Sequence, residues 1–473
     1  MYSTKLIYNL LLLQLVICVT YLIAVDTNNE DEITALPGLK DKLNFKQYSG
    51  YLNIPDGKHL FYWFVECETN PADAPVVLWL QGGPGGSSLF ALFVENGPFS
   101  VDAAGKTLKL NPYSWNREVN MLYIEAPVGT GFSYKDDKNY FNNDTTSAAD
   151  NRLALVEFFK KYPNLQKNPF YITGESYAGV YIPMLAQEIL STKTDINLKG
   201  IGIGNGALTG RDGTDQSVID LLLGHGLVTI ESYERKIEAC CQCADGQPVN
   251  ECVFAKPVNA TKCKQAKLDQ TDALNAYNIY DDCGGLNDAY LSSMYDQYHS
   301  SRFEALGIQT LQQSYSSSNN NKLICPQSGY SDYLNTPAVQ LAIHARKPDK
   351  NQWYVCCGPY DFTHASTPQH DIVRELIDKY GLKRVTVYNG DFDIVCDFID
   401  DQRFVDNLGY QRDGHYKEWT VDGKSDGIIC GYVERYEKGL QFVLVRGSGH
   451  MVPKDKPEAA LQVLKDLIGV VKL

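Results

Sequence analysis

The chain has 473 residues, 44% of them hydrophobic and 21% charged, a balance that excludes a disordered protein and allows a large buried core. Its 57 acidic and 43 basic side chains leave a formal net charge of −14. That excess argues against nucleic acid or an anionic membrane surface as a partner, because both attract basic faces.

Lys5 precedes an apolar stretch from Leu6 to Ala24, and a polar segment begins at Asp26. Residues 1–24 therefore read as a secretory signal. A signal anchor is the alternative; Asn9 and Gln14 interrupt the apolar run and count against a permanent span. With the signal removed, the chain is expected in the secretory pathway, in a lysosome or outside the cell, without a membrane partner. The 13 cysteines agree with that compartment. Cys240, Cys241, Cys243, Cys252 and Cys263 crowd one region, with Cys283 and Cys325 downstream. In an oxidising lumen such a cluster reads as disulfides rather than as a metal site. Asn143-Asp144-Thr145 and Asn259-Ala260-Thr261 are N-glycosylation acceptors, which implies that Asn143 and Asn259 lie on surface loops.

The first predicted elements are strands at Tyr48 to Ile54, Leu60 to Val65 and Val76 to Leu80. The third is continuously apolar, as expected of a strand covered on both faces. It runs into Gln81-Gly82-Gly83-Pro84-Gly85-Gly86, whose glycines let backbone amides approach a ligand closely. No Gly-Lys-Ser/Thr follows, so this is not a phosphate loop. Met121 to Ile124 predicts another strand, and Ala148 to Lys161 a helix that ends before Pro163. Phe170 to Thr173 is a further strand, followed by Gly174-Glu175-Ser176-Tyr177-Ala178-Gly179 and an apolar helix with Pro183 inside it, where a kink or an early irregular turn is expected. A serine at such a sharp strand-to-helix turn is a nucleophile elbow, although the second glycine arrives one residue late for Gly-x-Ser-x-Gly. Gly200 to Gly204 is one more strand. From about Leu208 to Ser331 the chain is cysteine-rich and lacks strand signals, and it contains a polar stretch at Ser314 to Lys322. Strands resume at Arg384 to Tyr388, ending in Asn389-Gly390-Asp391-Phe392-Asp393, and at Gln441 to Val445, ending in Gly447-Ser448-Gly449-His450; an amphipathic helix starts near Pro457. The expectation is an α/β-hydrolase fold. A mostly parallel sheet covered by helices is built from residues 25–207 and 332–473, and residues 208–331 form an inserted cysteine-rich cap. No internal repeat is present.

Ligand sites in open α/β sheets lie past the carboxyl ends of the strands, where Ser176, Asp393 and His450 all fall, in the chain order of α/β-hydrolases. Ser176 needs a base within reach to become a nucleophile, and His450 titrates in the range that lets it take and return that proton. Asp393 would fix the imidazole tautomer and stabilise the imidazolium. The amides of Gly83 and Tyr177 are placed to form an oxyanion hole.

Trp79-Leu80-Gln81-Gly82-Gly83-Pro84-Gly85, Gly174-Glu175-Ser176-Tyr177-Ala178-Gly179, Asn389-Gly390-Asp391-Phe392-Asp393 and Gly449-His450-Met451-Val452-Pro453 together resemble the four signature stretches of the serine carboxypeptidases, from about Lys46 to Leu467. The chain looks most like their lysosomal cathepsin A branch. The resemblance implies release of single residues from peptide or protein C-termini at acid pH, with neither metal nor other cofactor, and it is compatible with a homodimer. It implies a helical cap after Asn205-Gly206. By position, Glu95 and Glu175 match the family's pair that binds the terminal carboxylate, Gln81 and Gly82 assist, and Met451 lines the pocket of the departing residue. It also implies a Cys283–Cys325 cap disulfide, proteolytic nicking within Ser292 to Lys322, and a thiol at Cys396. There are departures from the family pattern. Gln81 stands where the family usually has Asn, and Gly86 replaces a disulfide cysteine, whose usual partner lies near Cys356-Cys357; those cysteines are expected to pair with Cys67 instead. The rival readings are an acyltransferase of the same fold and a non-catalytic binding or protective protein.

Overall fold

The computed structural model describes residues 30–209, 216–241, 259–269, 274–281, 303, 306, 308, 329–348, 352–356, 361–363, 368–421 and 427–473. The proposed signal, the Cys283–Cys325 pair and the stretch Ser292 to Lys322 lie outside them.

An eleven-stranded sheet organises the chain. In chain order its main strands are β1 (Gln47–Ile54), β2 (Lys58–Val65), β3 (Val76–Leu80), β4 (Asn120–Ile124), β5 (Phe170–Ser176), β6 (Leu198–Gly206), β7 (Val385–Gly390), β8 (Lys417–Thr420), β9 (Ile429–Arg435) and β10 (Leu440–Val445). Their spatial order is β1-β2-β4-β3-β5-β6-β7-β10-β9-β8, with Tyr134–Lys135 added beside β2. The six from β4 to β10 pair in parallel, and the flanking strands are antiparallel. This is the mostly parallel sheet read from the sequence. Its central strands are buried along their whole length, because helices cover both faces.

Side chains alternate between two apolar layers, as the two-residue period of a strand requires. Val77, Trp79, Met121 and Tyr123 face one layer, with helix α1 (Leu89–Val94). Val76, Leu78, Leu122 and Ile172 face the other, with α2 (Asp144–Lys161) and α3 (Ala178–Ser191). Helix α3 runs through Pro183 without an interruption. Between β6 and β7 the described residues include helices α4 (Gln216–Gly224), α5 (Ile230–Cys240) and α6 (Ala260–Gln265), and a Cys240–Cys263 disulfide joins the last two. Helices α7 (His370–Asp378), α8 (Phe398–Asn407) and α9 (Pro457–Leu467) complete the layers.

The expected pairing of Cys67 with Cys356 or Cys357 is not what the structure has. Cys67 is a buried free thiol, 3.8 Å from the Arg117 carbonyl, and its amide donates to Asn120 at the start of β4. Cys356 is in a disulfide, but it follows Val355, whose carbonyl accepts from Ser87 past the end of the parallel strand β3. The two cysteines lie at opposite ends of the sheet, far beyond the reach of a disulfide.

Both glycosylation acceptors turn out to be helix N-caps rather than plain loop residues. Asn259 is exposed and caps α6, accepting from the Lys262 amide at 3.0 Å. Asn143 caps α2: its side chain accepts from the Thr146 amide at 2.8 Å, and Thr146 Oγ1 accepts from the Asn143 amide at 2.9 Å. This reciprocal pair satisfies two donors that the first helical turn leaves open. In protein made without glycans, Asn143→Ala should lower the unfolding free energy by about 1 kcal/mol. Thr145→Ala, which destroys the acceptor triplet at an exposed position and keeps the cap, should leave it unchanged. Denaturant titration of the two variants checks this.

Candidate active site

Ser176 ends β5 with φ +63°, in the left-handed region that a non-glycine residue occupies only under constraint. Tyr177 is the N-cap of α3, so the strand reverses into a helix across a single residue. The neighbouring glycines make room for this. A Cβ at Gly174 would lie 2.1 Å from the Leu80 carbonyl oxygen, and one at Gly179 would lie 2.7 Å from the Ala207 amide. The late second glycine thus has its own reason: it lets α3 press against the end of β6. Gly82 sits on the other side of the serine, where a Cβ would meet Ser176 Cβ and the Tyr177 amide nitrogen, each at 2.6 Å. The glycine loop after β3 is therefore packed directly onto the elbow. Gly83 follows with φ +122°, a conformation reserved for glycine.

Asp393 lies beyond β7 and His450 beyond β10, and both are buried. His450 Nδ1 is 2.6 Å from Asp393 Oδ2. Asp393 also accepts from Asn205 Nδ2 at 2.9 Å and from the Val395 and Cys396 amides at 2.8 and 3.2 Å. Burial pulls the imidazole pKa down, but Asp393, Glu175 and Asp455 outweigh it, and the net shift is upward. His450 Nε2 is buried without a partner, so the nitrogen remote from Asp393 is open for proton transfer.

Beside His450 lies a second group of polar residues. Trp79 Nε1 donates to Gln81 Oε1 at 2.9 Å, and Gln81 Nε2 donates to Glu175 Oε1 at 2.7 Å. The extra methylene of Gln81 does not break this chain. Glu95, just after α1, is buried, and neither of its carboxyl oxygens meets a donor. Its neighbour is the carboxyl of Glu175, so only a proton can join the two. Burial pushes the Glu95 pKa up to about 8, although the neighbouring side chains of Glu175 and Lys454 pull it down. Burial and then the charge of Glu95 raise Glu175 well above its ordinary value, while His450 pulls it down. Met451 is buried immediately after His450.

The sequence reading missed several parts of this assembly. Asn205, with φ +38°, donates to Asp393 and accepts from the Gly390 amide at 3.1 Å, tying the end of β6 to the end of β7. Its place just past a strand and next to the elbow was the available signal. Asp391 belongs to the scaffold: it holds the Gly447 and Ser448 amides and so fixes the turn that carries His450. A strap from the segment between β6 and β7 is bonded to the backbone beside Asp393 and His450, and nothing in its sequence announced it. The His450 amide donates to the Tyr277 carbonyl at 2.7 Å, the Ile394 amide to Ala276 at 3.0 Å, and the Ile279 amide to Phe392 at 3.0 Å. Asn278 Nδ2 and the Gly449 amide share Asp455 Oδ2, at 3.0 and 2.8 Å. Among the described residues no cluster of His, Cys, Asp or Glu could hold a metal ion, and no helix is long and apolar enough to cross a membrane.

The chain matches the serine carboxypeptidase family model over residues 37–469. It is 37% identical to the mouse lysosomal protective protein, with 93% of this chain and 94% of that one covered. It is 31% identical to barley serine carboxypeptidase 1, covering 91% and 90% of the two chains. Among solved structures it resembles a prohormone-processing carboxypeptidase from Saccharomyces cerevisiae, with a TM-score of 0.68 at 24% identity, over 94% of this chain and 97% of the other. That likeness bears on the fold, an α/β-hydrolase sheet with its helices. A family match across nearly the whole chain, on a sheet that brings a buried histidine and aspartate together near an elbow serine, leads to one conclusion: this protein belongs to the serine carboxypeptidase family and is a serine-type carboxypeptidase.

Proposed function

We propose that Ser176, His450 and Asp393 perform the hydrolysis, and that Glu95 and Glu175 select substrates by their free C-terminus. The observation that carries the second half is the pair of buried carboxyls beside His450, a costly arrangement for a site that had no carboxylate to bind. In this reading Ser176 Oγ attacks the last peptide carbonyl and passes its proton to His450 Nε2. The Gly83 and Tyr177 amides hold the oxyanion, an assignment supported by the packing of Gly82 against Ser176 and Tyr177. His450 returns the proton to the departing amino acid, and water then repeats the sequence on the acyl-enzyme. The protonated member of the glutamate pair donates to the substrate's terminal carboxylate, with Gln81 and Gly82 framing it and Met451 lining the pocket of the leaving residue.

Residues 208–331 are read as a cap inserted between the two parts of the core. The mouse relative is named lysosomal; the apolar N-terminus and the acceptors Asn143 and Asn259 support a secretory, lysosomal or secreted, location for this chain.

Two experiments test the reading. Ser176→Ala should lower peptide turnover by several orders of magnitude, on the order of 10⁴-fold or more, and abolish labelling by a fluorophosphonate, with the circular dichroism spectrum unchanged. A variant that keeps a large share of wild-type activity would remove Ser176 from the role. The second experiment follows KM against pH. The shared proton is present below the raised pKa of the glutamate pair, about 8 for Glu95, and is lost as pH rises through it, turning a donor into a repelling charge. KM for a peptide with a free C-terminus should therefore rise on the alkaline side, and the matching C-terminal amide should show no such rise. Glu95→Gln should flatten the rise. On the acid side, rate should fall as His450 gains its proton, at a pH above that of an ordinary histidine. Parallel KM curves for peptide and amide would take the two glutamates out of substrate recognition.

A further inference from the structure

The loop Gln81–Ser88 carries the amide assigned to the oxyanion, yet it is a run of four glycines and one proline with little to stiffen it from within. Its one internal backbone bond runs from the Gly86 amide to the Gly82 carbonyl at 2.8 Å. An oxyanion donor stabilises a transition state only if it is already in place, so the loop must be held from outside.

Both of its ends are fastened to the end of β4. The Gln81 amide donates to Ser88 Oγ at 3.2 Å, and Ser88 Oγ donates to the Ile124 carbonyl at 2.7 Å. The other fastening is the side chain of the next residue, Glu125. Ser87 Oγ donates to Glu125 Oε1 and accepts from the Leu89 amide at 3.1 Å, and the Ser87 amide donates to the Val355 carbonyl at 2.7 Å. Trp353 Nε1 donates to the same carboxyl at 2.9 Å, and the Phe132 amide donates to its other oxygen at 2.6 Å. Ser87, Glu125 and Trp353 are all fully buried. The place of this carboxyl is built into the backbone: a Cβ at Gly131 would stand 1.9 Å from Glu125 Oε1, and Gly131 has φ +54°. Burial pushes Glu125 up to about 7 against the pull of Ser87, Phe132 and Trp353, which is the cost of keeping a carboxyl there.

We propose that Glu125 is a positioning residue for catalysis, gripping Ser87 so that the glycine loop presents its oxyanion amide at a fixed distance from Ser176. Glu125 touches neither substrate nor nucleophile in this role, and the inference rests on the assignment of Ser176 as nucleophile. A carboxyl that only supports the fold would affect stability and every binding step alike. One that positions the oxyanion loop acts on the transition state and spares the ground state.

The test uses the full-length enzyme with Ser87→Ala and Glu125→Gln, two variants that preserve volume closely. Gln keeps an acceptor for Ser87 or for Phe132, not for all three donors. For an N-acylated dipeptide, kcat should fall about tenfold to a hundredfold with KM within about twofold of wild type. Inhibition by a peptide boronic acid, whose tetrahedral adduct places an oxygen in the oxyanion hole, should weaken by the same factor. Competition by the N-acylated amino acid product should stay unchanged. The proposal is overturned if folded Ser87→Ala and Glu125→Gln keep both kcat and boronate affinity within about twofold of wild type, or if the loss falls equally on product binding. The boronate is also measured on Ser176→Ala: undiminished affinity there means that the nucleophile assignment has failed, a result separable from any outcome at Glu125.

Discussion

The Asp393 carboxylate is the point on which the site depends mechanically. It takes donors from His450, from Asn205 and from its own turn, and in doing so ties the ends of β6, β7 and β10 together. Those strands are adjacent and parallel, so their carboxyl ends open on one side, and a single acceptor can gather residues 188 and 57 positions away in the chain. Without such an acceptor Asp391 and Asp455 would still hold the backbone of the turn, but the His450 ring would lose its fixed partner. The energetic logic is that of a fully satisfied buried network, where every polar atom must find its partner or the whole group becomes a liability. The unpartnered Nε2 of His450 stands out against that background.

The glutamate pair follows a different logic. Two carboxyls buried side by side cannot both ionise, and the enclosure raises both. The fold accepts an unfavourable arrangement here, beside an Asp393 carboxylate that is fully partnered. Gln81 supplies a donor to Glu175 and is itself fixed by Trp79, so the pair rests on a strand whose aromatic ring is buried in the core. The buried carboxyl pair and the packing of the core are thus connected through a single side chain.

The sheet was legible wherever a strand is covered on both faces, since an uninterrupted apolar run such as Val76–Leu80 has few other meanings. The elbow, Asp393 and His450 were legible because each directly follows such a run. The edge strand Lys417–Thr420 and its neighbour Ile429–Arg435 were not, because they are partly exposed and carry charged and small residues that blur the pattern. Helix Leu89–Val94 was missed for the opposite reason: Leu89 to Phe93 are all buried, and a helix without a polar face shows no period. Glu95 and Glu175 stand 80 positions apart (175 − 95), and only family likeness joined them before the fold brought them together. The mispaired Cys67 shows the limit of proximity arguments: closeness to a strand says nothing about which of its two ends a thiol occupies.

The strap Ala276–Ile279 has a consequence for how this protein can change over time. It grips the backbone on either side of Asp393 and at His450, although it belongs to the segment between β6 and β7 rather than to the strands that carry those residues. A substitution that shifts this strap would therefore move the backbone beside Asp393 and His450 without altering either side chain. Variation there is not free in the way surface-loop variation usually is. A lineage could retune its turnover from the insertion alone, with all the groups that perform the chemistry left untouched.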